Sequence, residues 1–147
     1  MKKRFTYVGA SYLVLIRGRK ILLLRRFNTG FEDGNYGLPA GHLDGDETAR
    51  EGGTREFKEE IGIAINPDDL AVIHAMHRKA ADDERIDFFM TTSKYTGEIK
   101  NCEPHKCGDL RWFPLDNLPS NTIPYIRQAI TCYQKGIFYS EFGWKKA

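Results

Sequence analysis

The most constraining feature of this sequence is a concentration of acidic residues, with five glutamates in residues 41–63. Four of them, Glu51, Glu56, Glu59 and Glu60, fall on one predicted helix. The last three stand at positions i, i+3 and i+4, so they share one helix face. Like charges this close disfavour the helix unless a hard divalent cation shares them. The pattern therefore indicates metal-assisted chemistry, with phosphates as the expected substrates, and a solvated acidic face is the alternative.

Local signals mark both ends of this helix and its buried side. Thr48 and Glu51 match a capping box, which places Thr48 at the N-cap. Gly62 stands where a C-terminal cap is expected. Phe57 and Ile61 form an apolar stripe turned about 100° from the carboxylates. We therefore expect one side of the helix to pack on a sheet while the other faces a cleft.

The rest of the chain alternates between β-rich segments and loops. The first two predicted strands are separated by a turn-like segment and form a plausible hairpin. A glycine-rich loop follows at residues 27–37, and a second helix with Pro124 in its first turn is predicted near the end. Strands are predicted at residues 7–16, 21–24, 70–77, 86–93 and 110–113, and the second helix at 123–134. This order predicts one α/β domain over residues 1–147, with a mixed β-sheet sandwiched between α-helices.

Composition limits the function classes. A net charge of +2 gives no general reason to expect stable nucleic-acid or membrane binding. The three cysteines lack the spacing of a disulfide framework or a zinc site and are expected to be free thiols. No apolar run approaches the roughly 20 residues that span a bilayer. We therefore expect a cytoplasmic protein.

The acidic segment from Gly41 reads G-HLDGD-E-TAREGGT-REFKEE-I-G-I. It resembles the Nudix box, in which fixed glycines, glutamates and an arginine recur at fixed spacing. Phe57 stands where the family usually has an aliphatic residue. The matching positions are Gly41, Glu47, Arg55, Glu56, Glu59, Glu60, Gly62 and Ile63. The resemblance implies the Nudix fold and hydrolysis of a nucleoside diphosphate linked to another moiety.

The resemblance also assigns roles to the acidic residues. Glu56, Glu59 and Glu60 would supply oxygen ligands to Mg²⁺, or to Mn²⁺, and the backbone carbonyl of Ala40 would add another. Glu56 is either a ligand or the base that takes a proton from water. Arg55 would orient the carboxylates, and helix spacing predicts its ion pairs with the glutamates four residues before and after it. Glu56, Arg55 and Glu59 are thus the predicted catalytic residues.

Two features close to the box stay open at this stage. Gly52 and Gly53 lie inside the helix, where relatives usually carry alanine, and together they cost about 2 kcal/mol of helix propensity. One explanation is that the missing side chains allow the preceding loop or a metal-bound phosphate to approach the helix. The other is evolutionary drift. Glu47 precedes the N-cap, where negative charge favours the helix start, so we expect a structural role first and a supporting role behind the metal ligands second.

The predicted substrate residues lie outside the box. One of Arg25 and Arg26 is expected to reach phosphate oxygens, since strand neighbours point to opposite faces. Aromatic rings that could stack on a base, and an amide that could read its edge, complete the set, although aromatics near a sheet more often belong to the core. The substrate-binding candidates are Arg25, Arg26, Phe31, Tyr36 and Asn121, and Glu103 is the candidate for an extra acid, with Glu98 and Asp109 as competitors.

The expected substrate is a small nucleotide. Residues 78–81 lack the proline that resembles ADP-ribose hydrolases and the tyrosine of dinucleoside polyphosphate hydrolases. A MutT-like enzyme that converts a (d)NTP to a (d)NMP and pyrophosphate is therefore favoured. A nucleotide-sugar or other diphosphate hydrolase and a non-catalytic nucleotide-sensing module are the alternatives. The aromatic tail at residues 137–144 could close the site, pack on the core or form the seam of a homodimer.

Overall fold

The computed structural model describes residues 2–145. Every predicted strand and helix is present, with some boundaries shifted by a few residues. The strands are β1 (Val8–Leu13), β2 (Ile16–Arg17), β3 (Lys20–Arg26), β4 (Tyr36–Gly37), β5 (Ala40–His42), β6 (Ala71–Lys79), β7 (Glu84–Thr91), β8 (Cys107–Pro114) and β9 (Tyr139–Phe142). The helices are α1 (Ala49–Ile61) and α2 (Pro124–Gln134), with a short 3-10 helix at Pro67–Asp69.

The strands form two sheets within the described residues. The larger sheet has the order β5-β1-β7-β6-β9 and is mixed, because β1 runs parallel to β7 and β6 runs parallel to β9. In the smaller sheet β3 pairs antiparallel with β2, β4 and β8. The prediction of a mixed α/β arrangement is confirmed, but its strands are divided between two sheets.

The predicted first hairpin is only partly correct. The segment expected as one strand is split, so that β1 pairs with β5 and β7 while only β2 turns back onto β3. At the crossing point Val14 N–H donates to Met90 O (2.7 Å) in one sheet. Leu15 O accepts from Leu22 N–H (3.0 Å) in the other. The side chains of Val14 and Leu15 are both buried, so the apolar sequence pattern continues across the change of sheet. The pattern therefore does not indicate where the chain passes from one sheet to the other.

The two helices cover opposite faces of the sheets. Alternate residues of β1 separate accordingly, with Tyr12 in the core cluster beside α2 and Leu13 in the cluster beside α1. Phe57 of α1 is fully buried in its cluster, as is Ile130 of α2 in the other. This is the predicted sandwich, and it leaves the edge strand β5 beside the polar face of α1.

The C-terminal tail adds an edge strand, which the sequence did not predict. β9 pairs with β6 in parallel, with Ala75 opposite Tyr139. Ile137, Phe138 and Tyr139 keep about half of their surface exposed. Of the three arrangements considered, packing on the core is observed for Phe142, while a role as the seam of a homodimer stays a prediction. Among residues 2–145 no helix is both long and apolar enough to cross a membrane.

Candidate active site

Helix α1 is held by the caps that the sequence predicts. Thr48 Oγ1 accepts from Glu51 N–H (3.1 Å), and Glu51 Oε1 accepts from Thr48 N–H (2.8 Å), which completes the capping box. Gly62 ends the helix in the left-handed conformation (φ 80°). Phe57 and Ile61 are buried against the sheet, so the opposite face of α1 is directed at a cleft.

The cleft has a volume of about 490 Å³ and contains groups of both charges. Carboxylates from α1 and two loops lie in the same cleft as basic side chains from β3, β5, β7 and the loop that carries Glu103. Its acidic lining residues are Asp44, Glu56, Glu59, Glu60 and Glu103, its basic ones are Arg26, His42, Arg85 and Lys106, and its apolar or aromatic ones include Ala10, Tyr12, Leu24, Phe31, Leu38, Ile123, Tyr125 and Ile126. The predicted acidic helix face thus opens onto a site that also suits anionic groups.

Strand β5 fits closely under the carboxylates. A Cβ atom on Gly41 would lie only 2.1 Å from Glu56 Cδ, so any larger residue would displace that side chain. Next to it, Ala40 N–H donates to Glu60 Oε1 (3.1 Å). The glycine that begins the acidic motif is therefore explained by the space that Glu56 occupies.

Arg55 contacts different carboxylates from those that helix spacing predicts. Its Nη1 donates to Glu56 Oε1 (2.7 Å) and its Nη2 to Glu47 Oε2 (2.9 Å). It also pairs with Asp44 (3.1 Å). The predicted pairs with Glu51 and Glu59 are not among its contacts. The N-terminal loop folds back beside Arg55, and the capping box already engages the carboxylate of Glu51.

Burial perturbs the site carboxylates. It raises the pKa of Glu60 to about 8; the Ala40 N–H opposes this shift, and the charges of Glu103 and Glu56 add to it. Burial also raises the pKa of Glu56, although the hydrogen bond from Arg55 acts in the other direction. Both carboxylates are thus destabilised in their charged form, and a nearby cation would relieve this.

The donor set fits a hard divalent cation. Glu56, Glu59, Glu60 and the Ala40 carbonyl offer only oxygen, the donor that Mg²⁺ prefers. Across the described residues, however, no three Asp, Glu, His or Cys side chains already converge as a metal-binding group. Glu56 is turned to Arg55, Glu60 to Ala40 N–H, and Glu59 is exposed. These three side chains would have to rotate to share one ion.

Two of the five predicted substrate residues line the cleft. Arg26 lies there with its Nε donating to Phe31 O (2.7 Å) and its guanidinium 5.3 Å from the centre of the Phe31 ring. Phe31 itself is 48% exposed at the rim. Glu103, the candidate extra acid, also lines the cleft, whereas Glu98 and Asp109 lie elsewhere.

The other three predicted substrate residues lie outside the cleft. Arg25 points to the opposite face of β3 and approaches Gly108 O (3.5 Å). Tyr36 is buried, with its hydroxyl donating to Asp109 and its ring packed against Phe113. Asn121 uses its amide to donate to Gly34 O (2.8 Å) and so holds the glycine-rich loop. Strand alternation explains the placement of Arg25, and core packing explains that of Tyr36. The contact with the glycine-rich loop accounts for Asn121.

Several cleft residues were missed by sequence reasoning. His42 and Arg85 come from β5 and β7, yet Arg85 Nη1 lies 2.9 Å from His42 Nε2. Lys106 lies in the same loop as Glu103, and that proximity in sequence could have suggested it. His42 and Arg85 are 43 positions apart and share no local pattern, so only the strand order brings them together.

Comparison with known families agrees with this site. The NUDIX domain profile matches residues 7–131, which is most of the chain. The match includes the acidic helix and the residues that line the cleft. This chain belongs to the Nudix family. The predicted family and fold are thereby confirmed. The Nudix domain is a hydrolase, as the members of this family are.

Characterised relatives share moderate identity with this Nudix domain. The phosphatase NudJ of Escherichia coli K12 is 32% identical over 120 residues, covering 74% of this chain and 76% of NudJ. The NAD-capped RNA hydrolase NudC of Stutzerimonas stutzeri is 30% identical over 132 residues, covering 89% of this chain. The chain spans only 44% of the length of that NudC.

Solved structures show the same fold. A MutT NUDIX hydrolase from Burkholderia pseudomallei superposes with a TM-score of 0.78 at 26% identity, covering 86% of this Nudix domain and 97% of that chain. A MutT protein from Methanosarcina mazei has a TM-score of 0.77 at 20% identity, covering 91% and 97%. The second likeness concerns the fold alone.

Proposed function

We propose that this Nudix domain hydrolyses the phosphoric anhydride of a nucleoside diphosphate-linked substrate. The favoured reaction converts a (d)NTP to a (d)NMP and pyrophosphate with Mg²⁺, for which Mn²⁺ can substitute. The observation that carries this proposal is the joint lining of one cleft by acidic and cationic side chains, with an apolar region beside them. The acidic part suits a cation, the basic part suits phosphates, and the apolar part suits a base.

The residues of the cleft divide the chemistry among them. Glu59, Glu60 and the Ala40 carbonyl would hold Mg²⁺, which when bound supplies Lewis acidity toward phosphate oxygens. Water attacks phosphorus, its oxygen forms the new P–O bond, and the bridging P–O bond breaks to release pyrophosphate. Glu56, aligned by Arg55, is the proposed acceptor of the water proton.

The cationic side chains would bind the phosphate chain. Arg26 is fixed at one end by its hydrogen bond to Phe31 O, which leaves its Nη groups for phosphate oxygens. Lys106 adds a positive charge from the neighbouring loop. Its backbone carbonyl oxygen accepts from Phe27 N–H (2.9 Å), which holds this loop beside the end of β3. Glu103 is retained as an additional acid near Glu60.

Two other substrate classes and one other function class compete with this proposal. A nucleotide sugar or another diphosphate would use the same acidic and basic groups. The match to a NudC named for NAD-capped RNA brings dinucleotides and capped RNA into consideration. A non-catalytic sensor is disfavoured because pure binding does not need a bunched acidic face.

A product-release screen separates these functions. We expect pyrophosphate and a nucleoside monophosphate from at least one (d)NTP, with product formation requiring Mg²⁺ or Mn²⁺. The panel includes canonical and oxidised (d)NTPs, nucleotide sugars, NAD⁺ and NAD-capped RNA. Turnover confined to sugars or dinucleotides would replace the favoured substrate, and binding without turnover of any member would support the sensor.

Further expectations about partners stay predictions. The absence of stable nucleic-acid binding is tested by the RNA member of that panel. A homodimer is tested by sedimentation of the purified chain, and a cytoplasmic location by cell fractionation.

A further inference from the structure

Part of the cleft lining belongs to the core cluster beside α2 and is apolar except for two tyrosine hydroxyls. Tyr12 of β1 and Tyr125 of α2 line it together with Ile123 and Ile126. Their hydroxyl oxygens lie 3.2 Å apart, and the rings meet edge to face. A sugar would place several hydroxyls here with few polar partners, whereas a planar base has apolar faces and a few polar edge atoms. This part of the cleft lining therefore fits a base.

A buried ion pair lies behind the two tyrosines. Arg78 Nε donates to Asp87 Oδ2 (2.6 Å), and the two residues are only 4% and 0% exposed. The Arg78 guanidinium lies 3.8 Å from the centre of the Tyr125 ring, and its Nη2 donates to Tyr12 Oη (3.3 Å). Buried ion pairs often add little stability over apolar packing, so their retention can serve a specific arrangement. Here that arrangement includes both tyrosines.

The ion pair determines which hydroxyl donates to which. A guanidinium can only donate, so Tyr12 Oη accepts from Arg78. Burial raises the pKa of Tyr12 well above its ordinary value and keeps its proton in place. Among the described residues Tyr125 Oη is the only acceptor within hydrogen-bond distance of the Tyr12 hydroxyl, because Arg78 can only donate, so Tyr12 donates its hydrogen bond to Tyr125. Within residues 2–145 the hydroxyl of Tyr125 has no other hydrogen-bond partner, so its own proton is free to be donated.

We propose that the Tyr125 hydroxyl donates a hydrogen bond to an acceptor atom on the substrate's base. Arg78, Asp87 and Tyr12 act as positioning residues that give the hydroxyl this polarity. The inference rests on the proposed function, because it assumes that a nucleotide occupies the cleft. It names the residue that recognises the base, a role that Asn121 was predicted to fill.

Binding measurements on Tyr125→Phe test this inference directly. The probes are AMP, GMP, CMP and UMP, with ribose 5-phosphate as the probe that lacks a base, titrated by calorimetry in the presence of Mg²⁺. Loss of one neutral hydrogen bond should weaken the best-bound nucleotide by about 3- to 10-fold. The affinity for ribose 5-phosphate should not change. Tyr133→Phe, on the same helix but outside the cleft, is the matched control and should behave as wild type.

The positioning role is tested by a double-mutant cycle. Tyr12→Phe should weaken nucleotide binding by about 2- to 5-fold when Tyr125 is present and have no further effect in the Tyr125→Phe background. A general packing defect would instead add to the loss and also weaken ribose 5-phosphate. Circular dichroism and urea unfolding confirm that the variants are folded.

The outcomes distinguish the two proposals. Equal nucleotide affinities in Tyr125→Phe and wild type, or parallel losses for ribose 5-phosphate, overturn the base-recognition inference and leave the hydrolase proposal intact. A wild-type protein that neither binds any of these nucleotides nor releases product in the substrate screen overturns both.

Discussion

Glu56, the proposed catalytic base, is constrained from two directions. Below it, Gly41 provides the space in which the carboxylate lies, and beside it Arg55 donates to one of its oxygens. Arg55 is in turn held by Glu47 and Asp44. Because these contacts involve four other residues of the motif, its fixed spacing follows from one packed arrangement around Glu56.

Removing charge from the other two helix carboxylates tests their role. Glu59→Gln and Glu60→Gln should each lower kcat by at least about 100-fold, because an amide is a poor ligand for a hard cation. The fold should survive, since each change keeps the shape of the side chain. Turnover and urea unfolding are the measurements.

Glu51→Gln is the matched control for these two variants. It lies on the same helix outside the cleft, and a glutamine can still complete the capping box. It should keep wild-type turnover. Near-wild-type rates in Glu59→Gln or Glu60→Gln would exclude a metal-binding role for that residue.

The raised pKa of Glu60 predicts a pH dependence of stability without metal. Its pKa is about 8 in the folded protein against an ordinary 4.5, so the folded state binds the proton more tightly. The associated stability is present below about pH 4.5 and is lost as pH rises toward 8. Allowing for partial exposure, we expect a loss of about 2 kcal/mol over this window in EDTA.

The comparison that isolates Glu60 uses Glu60→Gln. Urea unfolding of both proteins at several pH values should show a decrease for wild type that the variant lacks. Parallel pH profiles would show that Glu60 titrates normally in the folded protein.

The packing of helix α1 against the loop before it depends on Gly52, a glycine that helix propensity does not explain. A Cβ on Gly52 would lie 2.5 Å from Leu43 Cδ2 and 2.8 Å from Glu47 Oε2. The missing side chain therefore lets the loop approach the helix, which favours that alternative over drift at this position. Gly53 faces the sheet instead, where a Cβ would lie 3.1 Å from Phe57 and 3.3 Å from Ser11.

Alanine at these two positions should have different effects on catalysis. Gly52→Ala should lower kcat/KM by about 10-fold, because it displaces Glu47 and thereby Arg55. Gly53→Ala is the matched comparison, since it gives the same gain of about 1 kcal/mol in helix propensity without touching Glu47. Steady-state kinetics on both variants decides. Unchanged kinetics in Gly52→Ala would instead favour evolutionary drift as the explanation for the glycine at this position.

The last strand is joined to the centre of the molecule through a buried histidine. His74 Nδ1 donates to Ile137 O (2.8 Å), because a carbonyl can only accept. With its proton on Nδ1, the ring accepts from Ser140 Oγ at Nε2 (2.8 Å). His74 is fully buried and also packs near Phe89, so β9 is connected to the same core that supports the cleft.

Removing the serine hydroxyl tests this connection. Ser140→Ala should reduce the free energy of unfolding by about 1–3 kcal/mol, because it leaves Nε2 of His74 buried without a partner. Urea unfolding provides the measurement. Ser93→Ala, at an exposed position, should cost less than about 0.5 kcal/mol. Equal stabilities of the two variants would contradict a structural role for this contact.

Sequence reasoning succeeded where the interactions are local and failed where they are not. The capping box and the buried stripe of α1 depend on residues three or four apart, and both are present as predicted. The partners of Arg55 were wrong because they lie on a loop that folds back onto the helix. Tyr36 was placed with the substrate residues because a loop aromatic can stack on a base, yet it is buried in the core, which is the alternative that the sequence analysis named.

The sequence alone determined the acidic helix, its caps, its family motif and the oxygen-rich character of the site. Each is encoded by residue type at short spacing, where helix geometry leaves little choice. Tertiary structure decided that Arg26, rather than Arg25, faces the cleft, and that Lys106 lies beside it. It also joined Arg78 to Tyr12 across 66 positions. Such contacts depend on strand order and on the packing of α2, which no local pattern of residues specifies.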